Sequence, residues 1–507
     1  MSKTLSKTVL IVPLTQSTAG QMRQAMHKAA EAGADMVECR LDYLAAAPDE
    51  NTLQTLLSDC PLPVIATNRP TRQGGQFAGD ESDRLGILAT AARLGADYID
   101  VELDVPPSRR PKGRTILSHH DFTGPPADLD KIVAELDASQ EDVGKIAFRA
   151  KGPEDALAVL SVLRNATKPM IALAMGQAGQ ASRILARKFG AFGMFASLET
   201  GEESAPGQLT VEQMKQLYRW DSVDPATKVY GVIGCPVAHS MSPAIHNAAF
   251  AACGIDAVYV PLLIESGAEN FNRFMDAVAP WTDLRGLSVT IPHKENAIAR
   301  VGKENTDELS RRIGAINTIA IANDGSLSGT NTDYAAAIDA LCSAMEIGRC
   351  DLSGRKVAVV GAGGVARAIT AALRHYRSDV TVYNRTFSRA EKLADEFDAC
   401  ARPLHEVAEL SSEIAINCTS IGMHPDIDKS PIPADALSRV RVVFDTIYNP
   451  LQTRLLREAS NAGCVCVSGL EMFINQAVAQ FEFWTKKTAP REIMQEVVVR
   501  RLTESQR

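Results

Sequence analysis

Short apolar, β-branched runs alternate with amphipathic stretches from residue 8 to about residue 200. The runs fall at 8–12, 36–40, 63–67, 97–102, 115–118, 144–148, 170–174 and 193–197. Between many of them lie segments, such as 19–32 and 155–166, whose apolar positions repeat at helical spacing. Eight such units in about 220 residues fit a (β/α)8 TIM barrel, in which chemistry gathers at the C-terminal ends of the strands. A doubly wound sheet produces the same alternation, so the pattern by itself leaves both architectures open.

Around 220–227 the sequence WDSVDPAT breaks this rhythm with proline and polar residues, and a new strand starts at Lys228. The βα alternation continues to about residue 330, and a helix then leads into LSGRKVAVVGAGGVARAITAAL. The turn Gly361, Ala362, Gly363, Gly364, Val365, Ala366 follows a strand at 356–360 and precedes a helix, the context a dinucleotide fingerprint requires. Later strands at 380–384, 413–418, 442–447 and 464–468 complete a parallel sheet. No internal repeat stands out.

Composition narrows the class of protein. A chain of 507 residues is too long for one ordinary core, and its 45% apolar and 22% charged residues are those of a globular protein. A net charge of −8 argues against nucleic acid or an anionic membrane as the main partner, while local arginines can still bind a small anion. The ten cysteines show no CxxC spacing, although Cys464 and Cys466 alternate along a strand-like run. They are expected to be thiols in a reducing compartment, without a zinc site. MSKTLSKTVLIVPL moves directly into a strand-like run and has neither a small-residue cleavage site nor an arginine-rich transit pattern. No stretch offers the roughly eighteen uninterrupted apolar residues of a membrane span. The expected location is the cytoplasm.

Several polar residues stand at the ends of the first-half strands: Glu38, Arg40, Arg69, Glu102, His119, His120 and Lys145. Lys145 lies inside the apolar run Val143-Gly144-Lys145-Ile146-Ala147-Phe148, where a charged amine is costly to desolvate. Burial favours the neutral amine, which attacks carbonyls to form a Schiff base. A strand-edge lysine, or one paired with a carboxylate, explains the same position, and the pattern alone favours that structural explanation.

The stretches VECRLDYL, NRPTRQGGQF, DYIDVEL, ILSHHDF, GKIAF, LAMG, ASR and SAPGQ recur in order across the first half, which resembles the type I 3-dehydroquinate dehydratases over most of residues 8–215. The resemblance implies that Lys145 forms an imine with the substrate ketone and that His120 removes the C2 proton and then helps the C1 hydroxyl leave. An iminium is an electron sink, and a histidine can both take and return the proton. Arg183 is the expected partner of the substrate carboxylate. Glu38, Arg40, Arg69, Ser204 and Gln208 match positions that hold hydroxyls and carboxylate, and Asp42 is expected to brace its neighbours. Two features depart from the family. Gln73 stands where the family often has a glutamate supporting the histidine, and His119 precedes His120. Motif register selects His120, leaving His119 a packing or hydrogen-bonding role.

In the second half, the strand after the glycine turn ends in Tyr383-Asn384-Arg385-Thr386, with Arg389 nearby. NAD sites usually place an acid there for the ribose 2′-hydroxyl, whereas arginine attracts a 2′-phosphate, so NADP is the expected cofactor. Upstream, GCPVAHSMSPAIHNAAF, SVTIPHKENAI, IGAINTI and GTNTDY carry Ser240, Ser242, Thr290, Lys294, Asn317, Thr332 and Asp333. Singly, each suits a cap or turn; Ser242 before Pro243 reads as a helix start. Together with FDTIYNPLQTRLL and SGLEMFINQAVAQFEFW, the set resembles the shikimate dehydrogenases over 228–507.

That resemblance implies a two-lobed dehydrogenase with a Rossmann-type NADP-binding domain. Ser240 and Ser242 would hold the carboxylate. Thr290, Asn317, Asp333 and Gln476 would bind hydroxyls, and Tyr448 would approach the carboxylate region. Lys294 and Asp333 would form the catalytic pair, since an alkoxide formed by reduction needs a placed proton donor. Asn417, Thr419 and Met423 would line the nicotinamide side, with Gly469 beside the cofactor, while His293 is expected to be structural.

The expected architecture is therefore α/β. A barrel occupies 1–220, a linker 221–227, a substrate-binding lobe 228–332 completed by 470–507, and the NADP-binding domain 333–469. The expected reactions are 3-dehydroquinate to 3-dehydroshikimate, then NADPH-dependent reduction to shikimate. Quinate is the closest rival substrate, one hydroxyl away. A metabolite-sensing regulator built from decayed enzyme domains is the non-enzymatic alternative, disfavoured by intact Lys145, His120, Lys294 and Asp333.

Overall fold

The computed structural model describes residues 7–504 apart from His239 and Thr282. The first six residues, part of the segment read as lacking a leader, lie outside the described residues. The chain forms two compact units, Met1–Pro243 with Asp256–Leu284, and Ala244–Ile255 with Arg285–Arg507.

In the first unit, eight strands follow one another as β1 (Val9–Leu14), β2 (Met36–Arg40), β3 (Val64–Thr67), β4 (Tyr98–Glu102), β5 (Thr115–Asp121), β6 (Val143–Arg149), β7 (Met170–Met175) and β8 (Gly193–Phe195). They form one parallel sheet in the order β7-β6-β5-β4-β3-β2-β1-β8. The Phe192 N–H donates to the Met170 carbonyl at 2.8 Å, bringing the two ends of this sheet together as a barrel. Alternation turns every second side chain inward. Register sets Glu102 beside Ser118, and Ser118 beside Lys145, so polar residues line up along one rim. The strands are buried on both faces, which is why they read as near-continuous apolar runs.

The same unit includes the parallel pair β9 (Lys228–Gly234) and β10 (Ala257–Leu263). Helix Ala268–Val278 packs on helix Pro153–Asn165, where Arg273 Nε meets Glu154 at 2.7 Å. Beside them the Trp281 ring rests on Phe189, centroids 5.1 Å apart, and buried Lys188 reaches Asp283 at 3.0 Å and the Pro225 carbonyl at 2.7 Å. Residues 221–227 are part of this packing, with Val223 and Thr227 buried.

The second unit holds the antiparallel strands β11 (Leu284–Val289), β12 (Thr318–Ile321) and β13 (Leu327–Thr330). A parallel sheet follows, built from β14 (Lys356–Val360), β15 (Asp379–Asn384), β16 (Cys400–Pro403), β17 (Ile414–Asn417), β18 (Val442–Asp445) and β19 (Val465–Val467). Its order, β16-β15-β14-β17-β18-β19, is the doubly wound arrangement whose ligand crevice opens at the carboxyl ends of its central strands. Val357, Val359, Ile414, Ile416, Val442 and Phe444 form one apolar face with the helices Thr332–Met345 and Gly364–His375. Ala358, Val360, Ala415 and Val443 form the other, with Leu455 and Leu456. Helix Thr332–Met345 also packs along helix Gly469–Thr485, tying the end of the chain to this core.

Candidate active sites

At the rim of the barrel a cavity of about 80 Å³ is lined by Glu38, Arg40, Arg69, His120, Lys145, Arg183, Ser204 and Gln208. Eight of the residues singled out in the first half thus meet in one place, while Glu102, His119 and Asp42 do not line it. Gln73 joins them on the turn Thr71–Gln73. The Gly74-Gly75 pair after it is a steric requirement: a Cβ on Gly75 would lie 2.0 Å from the Arg69 carbonyl oxygen.

Lys145 is 4% exposed, and its Nζ lies 2.9 Å from Asp100 Oδ2, 3.5 Å from Glu38 Oε1 and 4.4 Å above the Phe195 ring. The partner carboxylate raised by the structural explanation therefore exists, and it sits within the site. Asp100 also receives Arg69 Nη2 at 2.8 Å and Ser118 Oγ at 2.5 Å. Burial pushes the Asp100 carboxyl up, but the cations of Arg69 and Lys145 outweigh it and hold it well below the usual carboxylate range. Arg69 Nη1 meets Glu102 at 2.7 Å and Ser118 at 2.8 Å, while Arg84 meets Glu102 at 2.6 Å. Arg40 spends both prongs on Asp42, at 2.9 and 2.7 Å, and Asp42 accepts the Gln76 N–H at 3.0 Å, a bracing position.

His120 lies on β5, where its backbone N–H donates to Gln73 Oε1 at 2.9 Å. The amide at position 73 thus reaches the main chain of the histidine, and His120 Nδ1 is buried without a partner. Burial, followed by the positive charges of Arg69 and Lys145, pushes the imidazole well below its ordinary value and keeps it neutral. His119 is half-buried but does not line the cavity.

Arg183 is 1% exposed and, among the described residues, makes no ion pair. Its contacts are carbonyls of Phe195 and Pro206 at 3.5 Å, and its Nε has no partner. Burial lowers it to about 10. Gln208 accepts from the Ser204 N–H at 2.8 Å, leaving its buried Nε2 unpartnered. A buried cation without a counter-charge and a buried amide donor without an acceptor are costly until an anionic, oxygen-rich ligand arrives.

In the second unit, Lys294 opens helix Lys294–Val301, and its Nζ lies 2.6 Å from Asp333 Oδ2. Asn317 Nδ2 donates to Asp333 Oδ1 at 2.8 Å and to Thr332 Oγ1 at 3.0 Å. Thr290 opens the turn after β11, where its carbonyl accepts the N–H of the buried His293. Tyr448 stacks on Phe473 at 4.4 Å and 11°, and Gln476 donates to the Phe473 carbonyl at 3.1 Å. Ser240 and Ser242 belong to the first unit, where the Ser242 N–H donates to Ser240 Oγ at 3.2 Å.

The glycine turn joins β14 to helix Gly364–His375. Gly361 has φ +116°, and a Cβ there would come within 3.0 Å of the Cys418 carbonyl oxygen. Ala362 and Val365 are half-buried, Ala366 is buried in the core, and the backbone of Gly363 and Gly364 is open, with no atom within 4 Å of where a Cβ would stand. An uncovered helix start with free N–H groups suits a pyrophosphate. At the end of β15, Asn384 Nδ2 holds the Thr386 carbonyl at 2.8 Å, and Arg385 and Arg389 are exposed without an ion pair among the described residues. These residues fit a dinucleotide carrying a 2′-phosphate. Asn417 is fixed by Asp445 at 3.0 Å and accepts the Thr419 N–H at 2.9 Å. Met423 is 46% exposed, and Gly469 opens helix Gly469–Thr485.

Sequence reasoning missed Asp100, Ser118, Asp445 and Gln480. The first had a signal, because DYIDVEL places two acids on alternate positions of an apolar strand, hence on one inward face of a barrel.

An amine-bearing βα barrel followed by a dinucleotide-binding sheet with a lysine–aspartate pair defines a two-part enzyme, a carbonyl-dependent lyase joined to a dehydrogenase. The bifunctional 3-dehydroquinate dehydratase/shikimate dehydrogenase, chloroplastic, of Arabidopsis thaliana is 38% identical over 97% of this chain and 84% of its own length. The chain belongs to this bifunctional family. Family models match in order: type I 3-dehydroquinase at 10–225, shikimate dehydrogenase substrate binding domain at 232–319, shikimate/quinate 5-dehydrogenase at 343–445 and shikimate 5′-dehydrogenase C-terminal domain at 469–499. The shikimate dehydrogenase (NADP(+)) of Methanosarcina acetivorans is 39% identical over 54% of this chain and 99% of its own. A crystal structure of shikimate dehydrogenase in complex with NADP+ superposes with a TM-score of 0.51 at 34% identity, covering 55% of this chain and 97% of that one. The protein is a lyase and an NADP-dependent oxidoreductase of the shikimate pathway. No helix among the described residues is long and apolar enough to cross a membrane.

Proposed function

We propose that residues 1–220 dehydrate 3-dehydroquinate through an imine on Lys145, and that 228–332 with 470–507 bind 3-dehydroshikimate for reduction by NADPH held on 333–469, with 221–227 as the join. The observation that carries this reading is a buried amine facing a cavity whose other buried donors, Arg183 Nε and Gln208 Nε2, have no partner.

Lys145 attacks the C3 carbonyl, and loss of water leaves a protonated imine. His120, neutral in its buried setting, takes the C2 proton while the electron pair moves toward the iminium nitrogen. His120 then returns that proton to the C1 hydroxyl as it leaves, and hydrolysis frees the product and Lys145. Asp100 and Glu38 balance the positive nitrogen. Arg183 pairs with the substrate carboxylate, and Arg40, Arg69, Ser204 and Gln208 shape the surrounding pocket.

In the second reaction, bound NADPH supplies the two-electron reducing equivalent. Lys294 delivers a proton to the carbonyl oxygen, and Asp333 orients Lys294 and the neighbouring substrate hydroxyl. Ser240 and Ser242 take the carboxylate, with Thr290, Asn317, Gln476 and Tyr448 on the ring substituents. Gly361 to Ala366 cradle the pyrophosphate, Asn384, Arg385, Thr386 and Arg389 take the adenosine phosphate end, and Asn417, Thr419, Met423 and Gly469 flank the nicotinamide.

Borohydride added with 3-dehydroquinate is expected to fix a covalent adduct on Lys145, and an unlabelled Lys145 defeats the imine. NADPH absorbance followed with 3-dehydroquinate as sole substrate tests both reactions at once, and an absorbance that does not fall favours a sensor. Quinate remains a second reading, because the model matching 343–445 describes both substrates. Comparing kcat/KM for shikimate and quinate decides between them. The ten unpaired cysteines suit a reducing compartment, and the cytoplasm is the proposed location.

A further inference from the structure

Beneath the Lys294–Asp333 pair runs a buried chain of hydrogen bonds that the reaction as written does not use. Gln480, on helix Gly469–Thr485, is 2% exposed. Its Oε1 accepts from Ser288 Oγ at 2.8 Å, and its Nε2 donates to Thr318 Oγ1 at 3.1 Å and to the Asn317 carbonyl at 3.2 Å. Thr318 Oγ1 donates its one proton to Asn317 Oδ1 at 2.8 Å, where the Thr332 N–H also arrives at 2.8 Å. With Oδ1 filled by two donors, the Asn317 side-chain amide has one orientation, NH2 toward Asp333 Oδ1 at 2.8 Å. Asp333 therefore accepts at both oxygens, from Asn317 and from Lys294.

Every bond in this chain points the same way, from Ser288 through Gln480, Thr318 and Asn317 to Asp333. A hydroxyl has one proton to give, so reversing any link leaves two acceptors or two donors face to face in a site sealed from water. Gln480 is where the direction is set. Its amide oxygen can only accept, and its NH2 can only donate. The buried His246 ring lies tilted against Trp484, centroids 5.2 Å apart, and senses the same amide electrostatically. Burial pushes this imidazole down to about 3, so it stays neutral. No full charge competes with the amide from that side.

We infer that Gln480 is a positioning residue for the reduction, orienting the Asn317 amide and through it the Asp333 carboxylate that steers Lys294. This rests on Lys294 and Asp333 being the acid–base pair proposed above. Gln480 does not touch substrate or cofactor in this role, so its loss affects kcat and leaves NADPH binding alone.

The test uses the full-length enzyme with shikimate and NADP+, and the dehydratase rate as a control for folding. Gln480→Met removes both amide ends at similar volume, and Thr318→Val removes the next link with an isostere. Each is expected to lower dehydrogenase kcat about tenfold, with KM for NADP+ and the dehydratase rate unchanged. Gln480→Glu gives a signature that packing alone does not. Its carboxylate can only accept, so the rate falls near neutral pH and recovers toward acid, where a protonated carboxyl regains one donor for Thr318. Wild-type kcat and an unaltered pH profile in Thr318→Val and Gln480→Glu, alongside an inactive Asp333→Asn, overturn the positioning role and leave the acid–base pair standing. Full turnover in Asp333→Asn instead removes the pair itself.

Discussion

Lys145 Nζ and Asp100 Oδ2 stand 2.9 Å apart with both side chains buried. Asp100 serves two cations at once, because Arg69 reaches the same oxygen at 2.8 Å. Removing its charge leaves the buried amine with only Glu38, at 3.5 Å, and the buried guanidinium with only Glu102. Asp100→Asn is expected to destabilise the barrel by about 3 kcal/mol, the usual cost of breaking one side of a buried pair, and to slow imine formation. Denaturant unfolding and the yield of borohydride adduct check this. A variant as stable as the parent would show that Asp100 does not balance this charge.

The strands of the barrel and the central strands of the doubly wound sheet were legible because both their faces are buried, whereas the partly exposed antiparallel β12 and β13 replace the βα alternation expected up to residue 330. Val357, Val359, Ile414 and Ile416 face one layer of helices, Ala358 and Ala415 the other, and the runs contain few polar interruptions. β16 was not legible: Cys400-Ala401-Arg402-Pro403 is a short edge strand with no residue fully buried and a proline at its end. Among site residues, Lys145 and Lys294 were found because they interrupt or follow apolar strands within recognisable stretches. Gln480 was not, since its importance lies in hydrogen-bond direction across residues more than 160 positions apart in sequence. The commitment of Arg40 and Arg69 to carboxylates was likewise invisible until the strands were placed side by side.

His120 gives the dehydratase a pH dependence of definite sign. Burial and the nearby cations lower its folded pKa below the ordinary 6.5. Between that value and 6.5 the unfolded chain binds a proton that the folded one does not, so stability drains away as pH falls below 6.5. For the same reason the acid limb of kcat/KM is expected below pH 6.5. Gln73→Glu puts a carboxylate beside His120 and is expected to move that limb upward by about one pH unit. An identical profile in the variant would mean that the side chain at 73 does not sense the ring.

Arg183 separates stability from binding. It is buried with no carboxylate partner among the described residues, so the free enzyme bears the cost of an unpaired cation. Arg183→Met is expected to raise the thermal midpoint of the unliganded barrel while raising KM for 3-dehydroquinate about a hundredfold or more, the loss of a charge-assisted bidentate contact. Calorimetry without substrate and steady-state kinetics give the two numbers independently. A lower midpoint together with an unchanged KM would make Arg183 a structural residue and remove it from the site.

Arg385 and Arg389 present the opposite situation, two exposed cations at the end of β15 that make no ion pair among the described residues. Nothing in the fold needs their charge, so neutralising them should cost little stability. A 2′-phosphate does need it. Each Arg→Ala change is expected to weaken NADPH by about tenfold or more and to leave NADH, which lacks that phosphate, nearly untouched. Because the arginines are solvent-exposed, the wild-type preference for NADPH should shrink as salt is raised, and the double variant should lose this salt dependence. KM for both cofactors, measured at low and high ionic strength, decides the matter. Equal losses for NADPH and NADH would place the arginines on the diphosphate or on the fold, and the 2′-phosphate would then need another partner.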